Sequence, residues 1–132
     1  MRILIVEDEY TSRKLLTSLL SDYGKCDTAS DGKSGVEAFE KALAEGNPYG
    51  LVCLDIMMPV MDGHEALKAI RDVEARHGVR AQSEVKVIMV TAINDPVTVV
   101  KAYYQGGAAA YIPKPVEIDS LLSVLRDLEI IK

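Results

Sequence analysis

Glu7, Asp8, Asp55, Thr91 and Lys114 could share one piece of chemistry if the fold brings them together. The three carboxylates and one ammonium carry a net −2. Carboxylates held close together raise one another's pKa unless a cation intervenes. A divalent ion would bring the sum to zero. The donors are hard oxygens in a site open to water, which favours Mg²⁺, an ion that keeps several waters and takes only one or two carboxylates. A carboxylate beside Mg²⁺, a hydroxyl and a lysine is suited to phosphoryl transfer. The carboxylate serves as nucleophile and becomes an acyl phosphate. The ion and Lys114 neutralise charge on the transferring group, and Thr91 hydrogen-bonds a phosphoryl oxygen. The competing reading is solvated loop charge near helix starts. It suits Glu7-Asp8 taken alone and suits the five residues together poorly.

Each of these residues sits at or just past the end of an apolar run. Residues 2–6 precede Glu7-Asp8-Glu9. Residues 51–54 read as a strand buried on both faces, and it ends on Asp55. A turn with Pro59 follows, and Asp62-Gly63 opens a helix with Asp62 as its cap. Residues 85–90 lead to Thr91, and 108–112 lead to Pro113-Lys114-Pro115. Residues 25–29 are a weaker strand. Between the strands lie helical patterns. The first, 10–23, carries Leu15, Leu16, Leu19 and Leu20 and is closed by Gly24. The second runs from Asp31-Gly32 to Gly46-Asn47-Pro48 with Val36, Phe39 and Leu43 inward. The third runs from Asp62 to His77-Gly78 with Ala66, Leu67, Ile70 and Val73 inward. The fourth starts near Pro96 and ends at Gly106-Gly107, and the fifth spans 117–130. Five repeats of strand then helix imply an α/β fold. It is a single doubly wound, five-stranded parallel sheet, (βα)5, with right-handed crossovers. The strand ends then share one edge, where open α/β sheets place their ligands.

At 132 residues the chain is expected to be one domain, 1–132. A chain of this size buries roughly two-thirds of its unfolded surface. Its net charge of −5 argues against direct DNA binding and against an anionic membrane surface. No apolar run approaches about 18 residues, so no membrane insertion is expected. The N-terminus lacks signal-peptide regions, and the protein is expected to be cytoplasmic. Cys26 and Cys53 belong to no CxxC pair or zinc-spaced set and read as small buried hydrophobes. His64 and His77 read as surface residues, and Met57, Met58 and Met61 as loop and core packing.

The ordered motifs resemble a response-regulator receiver domain of two-component signalling. They are Val6-Glu-Asp-Glu9, Asp31-Gly32, Leu54-Asp-Ile-Met-Met-Pro-Val-Met-Asp-Gly63, Thr91-Ala92, Gly107-Ala108 and Tyr111-Ile-Pro-Lys-Pro115. The likeness covers nearly the whole chain. It implies the flavodoxin-like strand order 2-1-3-4-5. It makes Asp55 the phosphoacceptor from a phosphohistidine on a sensor histidine kinase or phosphotransfer protein. It assigns Mg²⁺ to Glu7, Asp8, Asp55 and the backbone carbonyl of Met57, and phosphoryl contacts to Lys114 and Thr91, beside a small Ala92. It pairs Thr91 with Tyr111 as a conformational switch and places a cis bond at Lys114–Pro115. It sets Met57 and Ile93 at the border of the water path that controls dephosphorylation. The chain would be a phosphoprotein switch that catalyses only its own phosphoryl transfer and slow dephosphorylation. It ends soon after the last helix, so its output is expected to be contact with an unknown downstream protein target, as in stand-alone receivers.

Three other readings compete. A flavodoxin-like FMN protein shares the fold, but Glu7-Asp8-Glu9 would repel a phosphate where its phosphate loop belongs. An aspartyl phosphatase would show Asp-x-Asp-x-Thr, which Asp55-Ile-Met-Met does not match. A receiver acting without phosphorylation would lack part of the constellation, and here none is missing.

Overall fold

A computed structural model describes residues 1–92 and 107–131. The apolar runs form β1 (Arg2–Val6), β2 (Lys25–Ala29), β3 (Leu51–Asp55), β4 (Lys86–Thr91) and β5 (Ala110–Pro113). All pair in parallel, in the order β2-β1-β3-β4-β5. The helices are α1 (Tyr10–Leu20), α2 (Gly32–Ala44), α3 (Gly63–Arg76) and α4 (Ile118–Asp127), with a 3₁₀ turn at Ala81–Ser83. The helix expected from Pro96, and Ile93 before it, lie outside the described residues. No described helix is long and apolar enough to cross a membrane.

Alternation along the strands splits the core into two layers. Leu4, Val6, Val52, Leu54, Val87 and Met89 face α2 and α3, meeting Phe39, Leu67 and Ile70. Ile3, Ile5, Cys53, Ile88, Val90 and Ile112 face α1 and α4, meeting Leu16, Leu20, Leu121 and Leu125. All five residues of β3 are buried, the mark of a central strand covered on both sides. Each such Leu, Ile or Val contributes about 1.5–3 kcal/mol, and together they make a stiff base for the acid at the end of β3. Cys26 lies opposite Ile3, and Cys53 lies opposite Ile5 on the other side of β1. Both thiols are free, and burial pushes the Cys53 thiol up to about 12.

Two local expectations need correction. The first helix ends at Leu20 with Ser21 as its cap, not at Gly24. Gly24 instead lies against the chain start, where a Cβ would stand 2.5 Å from the Met1 carbonyl oxygen. Leu15 is 42% exposed, while Leu16 and Leu20 are buried. The position before Leu16 is turned about 100° round the helix, away from the sheet.

The caps form where expected. Asp31 accepts from the Ser34 amide at 2.7 Å and Asp62 from the Glu65 amide at 2.9 Å. The start of α3 is pinned to the end of β3, because the Gly63 amide donates to the Ile56 carbonyl at 2.8 Å. A Cβ on Gly63 would come within 2.5 Å of the Asp55 carbonyl oxygen and 2.7 Å of Ile56 Cα. Both are backbone atoms that cannot swing aside. Gly63→Ala is therefore expected to lower stability by about 1–3 kcal/mol, the usual cost of overpacking. Urea denaturation followed by circular dichroism measures this, and an unchanged midpoint would refute the close-packing account.

Candidate functional site

The register of three strands assembles the site. Val6 pairs with Leu54, so Glu7 and Asp55 leave adjacent strands at the same level. β5 ends at Pro113 beside Thr91, and Lys114 follows directly. The Lys114–Pro115 bond is cis, as expected. One carboxylate oxygen each from Glu7, Asp8 and Asp55 lies within 4.8 Å of the others. Glu7 is fully buried and Asp55 is 3% exposed, while Asp8 is open to solvent. The cluster therefore has a dry floor and a wet rim.

Lys114 closes one side. Its Nζ lies 3.4 Å from Asp55 Oδ2 and contacts Glu7 Oε1. The Met57 amide donates to Asp55 Oδ1 at 3.3 Å, and the Glu9 amide donates to Glu7 Oε2 at 3.2 Å. One ammonium is too little for three acids. Burial, and then the contact and charge of Glu7, push the Asp55 carboxyl up to about 7, with Lys114 and the Met57 amide offsetting only part of the rise. For Lys114, burial works against the charged form, yet contact with Glu7 and the charges of Asp55 and Glu7 outweigh it and raise its pKa. The ammonium stays charged. Three hard oxygen donors with one wet edge and surplus negative charge fit a small divalent cation such as Mg²⁺.

The remaining expected residues fall as follows. Thr91 ends β4, so its backbone lies at the same sheet edge. Ala92 follows it and is exposed. Tyr111 pairs with Met89, is half-buried against the α2–α3 layer, and has its phenol pKa raised by burial. Met58 is buried and Met61 packs half-buried against the core, while Met57 is 61% exposed in the loop at the mouth. His64 is not a plain surface residue. It is half-buried, and its Nε2 has no hydrogen-bond partner among the described residues. His77 is exposed beside Glu40.

Two features escaped the sequence reading. Val60 is 90% exposed and holds φ at 69° within a tight turn closed by the Met61 amide on the Pro59 carbonyl at 2.7 Å. A β-branched residue there is a conformational outlier, and nothing in Pro59-Val60-Met61 signals it. Arg13 is the other. Its Nη1 donates to the carbonyls of both Glu7, at 2.9 Å, and Asp8, at 3.4 Å. The one available signal was a basic residue a helical turn beyond the acidic segment, able to reach back over it.

Comparison with known proteins agrees with this geometry. The family profile of the response regulator receiver domain matches residues 3–126. Transcriptional regulatory protein TcrA of Mycobacterium tuberculosis is 36% identical over 97% of this chain and 46% of its own length. The chain thus spans about half the length of such relatives. Chemotaxis protein CheY of Bacillus subtilis is 34% identical, over 95% of this chain and 94% of that protein. Among solved structures, the receiver domain of the Arabidopsis thaliana histidine kinase CKI1, complexed with Mg²⁺ and BeF₃⁻, superposes with a TM-score of 0.81. It is 28% identical, covering 97% of this chain and 89% of that one. The receiver domain of Saccharomyces cerevisiae Ssk1, in complex with the histidine phosphotransfer protein Ypd1, gives 0.79 at 27% identity, covering 99% and 92%. The fold is the flavodoxin-like one, and the chain belongs to the response regulator receiver domain family.

Proposed function

We propose that this chain is a phosphorylation-activated signalling switch whose phosphoacceptor is Asp55. The observation that carries the reading is the convergence of Glu7, Asp8 and Lys114 on one nearly buried carboxylate at the end of the central strand. The donor is a phosphohistidine on a sensor histidine kinase or phosphotransfer protein. The chain works in the cytoplasm as a receiver unit spanning 1–132, with a protein as its downstream target and no direct contact with DNA. The complexes formed by the CKI1 and Ssk1 receivers support the chemistry and the class of partner.

In the transfer, an Asp55 oxygen attacks phosphorus, and the bond from phosphorus to the imidazole nitrogen breaks. The electron pair returns to the ring, and Asp55 becomes an acyl phosphate. Glu7, Asp8, Asp55 and the Met57 carbonyl are the groups that would hold Mg²⁺. The ion would keep Asp55 ionised and add positive charge facing the phosphoryl oxygens. Lys114 is already in place to balance charge as the phosphoryl group arrives. Asp55 is nearly enclosed, so the attacking carboxylate carries little water to shed. Thr91 would bond a phosphoryl oxygen, and Tyr111 would move with it. A ligand shifts such an equilibrium only through contacts that differ between its states. The chain catalyses its own phosphorylation and slow dephosphorylation, not turnover of a metabolite.

Phosphorylation by acetyl phosphate or a cognate kinase is expected to require Mg²⁺ and to be abolished in Asp55→Asn, whose amide is a poor nucleophile. Intact-mass measurement reads this directly. Phosphate on the Asn variant at the wild-type rate, or full labelling in excess chelator, would count against the scheme.

Without metal, the raised Asp55 pKa makes stability depend on pH. The folded state binds a proton that the unfolded state releases near pH 3.8. That stabilisation is complete at low pH and is lost as pH rises through about 7. In chelator, the wild-type melting temperature is expected to fall between about pH 5 and pH 8 more steeply than that of Asp55→Asn. Saturating Mg²⁺ should cancel the fall. Parallel curves for the two proteins would remove the case for a raised carboxyl.

The phosphoryl group is expected to decay slowly, because neither the Met57 thioether nor the Ile93 hydrocarbon can orient a water strongly. Met57→Asn/Ile93→Glu should speed loss about tenfold if positioning lowers the barrier by about 1.4 kcal/mol. Decay at saturating Mg²⁺ tests this, and an equal or slower rate in the variant shows that other residues control the water.

A further inference from the structure

The turn after β1 poses a problem that β1 and α1 do not solve. The Glu7 amide completes the sheet by donating to the Ala29 carbonyl at 3.0 Å. The Glu9 carbonyl begins the helix by accepting from the Arg13 amide at 2.9 Å. Between them, the carbonyls of Glu7 and Asp8 belong to neither ladder, and the Glu9 side chain caps none of the α1 amides, accepting only from the Ser12 hydroxyl at 3.3 Å. Buried or half-buried carbonyls need a donor. Here a single nitrogen, Arg13 Nη1, reaches both, by a short, partly buried bond to Glu7 and a longer, exposed one to Asp8. The guanidinium also lies 5.7 Å from the centre of the Tyr10 ring, a cation–π distance that limits its swing.

The side chains of those same two residues are two of the three acids in the cluster. Their repulsion pushes the turn outward. The guanidinium pulls the other way, on the two main-chain oxygens from which Glu7 and Asp8 project. We propose that Arg13 is a positioning residue for the cation-binding acids. It contacts none of the reacting atoms and holds the turn in the geometry a divalent ion needs. This inference rests on the proposed Mg²⁺ role of Glu7 and Asp8. It also explains why the arm must be an arginine. The terminal nitrogen of an arginine lies one bond further from the backbone than a lysine ammonium, and that reach is what carries it from α1 back to both carbonyls.

The test separates positioning from charge and from folding. The melting temperature is recorded against Mg²⁺ concentration at fixed ionic strength for wild type, Arg13→Met, Arg13→Lys and Lys14→Met. The value in chelator reports stability, and its rise with Mg²⁺ reports the dissociation constant. Lys14→Met removes the same charge from the next position on α1. Arg13→Met is expected to weaken Mg²⁺ binding about tenfold, the low end for groups that orient metal ligands. Arg13→Lys should fall between it and wild type, and Lys14→Met should bind no more weakly than wild type. If Arg13→Met does not fold, a weaker Mg²⁺ affinity in Arg13→Lys carries the same conclusion, and an unchanged one overturns it. Equal affinity in Arg13→Met and Lys14→Met overturns the inference while leaving the proposed function intact. A wild-type protein that gains no stability from Mg²⁺ overturns both.

Discussion

Repulsion among three carboxylates held within a few ångströms is the constraint on which the upper edge of this sheet depends. Two of them, Glu7 and Asp55, are out of water. A flexible chain would relax the strain by splaying apart. This one cannot, because β1 and β3 are adjacent, buried on both faces and locked in register. The rigidity of the central strands is therefore what stores the unbalanced charge. Lys114 from β5 relieves part of it, and Arg13 restrains the backbone from outside. What is left over is an appetite for positive charge that a cation can meet.

The opposite edge shows how the same fold treats charge with no such task. Asp27 accepts from Arg2 at 2.8 Å and from the Tyr49 hydroxyl at 2.8 Å, and the Arg2 guanidinium stacks 4.5 Å from the Tyr49 ring centre. The Arg2 bond, with help from Tyr49, holds the Asp27 carboxyl below its usual range. Glu74, buried on α3, is likewise satisfied by Arg71 at 2.7 Å and by the Val85 amide at 2.7 Å. Arg71 extends the chain of contacts to the Gly107 carbonyl at 3.0 Å, tying α3 to the approach to β5. Both acids are neutralised inside their own networks. Asp55 is shifted the opposite way to Asp27, which marks the upper edge as the place where negative charge is left in surplus among the described residues.

Much of this was legible in the residues. Continuous apolar runs ending on charged residues announced a parallel sheet and the edge where its ligands gather. Asp31 and Asp62 marked helix starts because an aspartate before an amphipathic run has one evident use. What could not be read depends on which neighbour a group meets. The end of α1 was misplaced because a glycine usually signals a left-handed cap, and Gly24 serves close approach instead. Which of Met57, Met58 and Met61 belongs to the loop and which to the core could not be read, because hydropathy does not say which methionine of a turn faces out. Arg13 gave only the signal of a basic residue one helical turn past the acids, since its partners are backbone carbonyls that every sequence possesses. The strain at Val60 is equally silent, because it arises from how the turn must close above Asp55.

The strand order has a consequence for how the molecule comes into being. The acids arrive on the first and third strands, while their ammonium counter-charge arrives on the fifth, more than a hundred residues after Glu7. Contacts so distant in sequence form late, because the intervening loop must be closed first. With only β1, β2 and β3 in place, Glu7, Asp8 and Asp55 would be gathered with nothing from β5 to balance them. Such an intermediate is electrostatically incomplete, and docking of β5 makes good the deficit. β5 thus both completes the described sheet and leads directly to Lys114, so the acids gain this ammonium only when the fifth strand is in place.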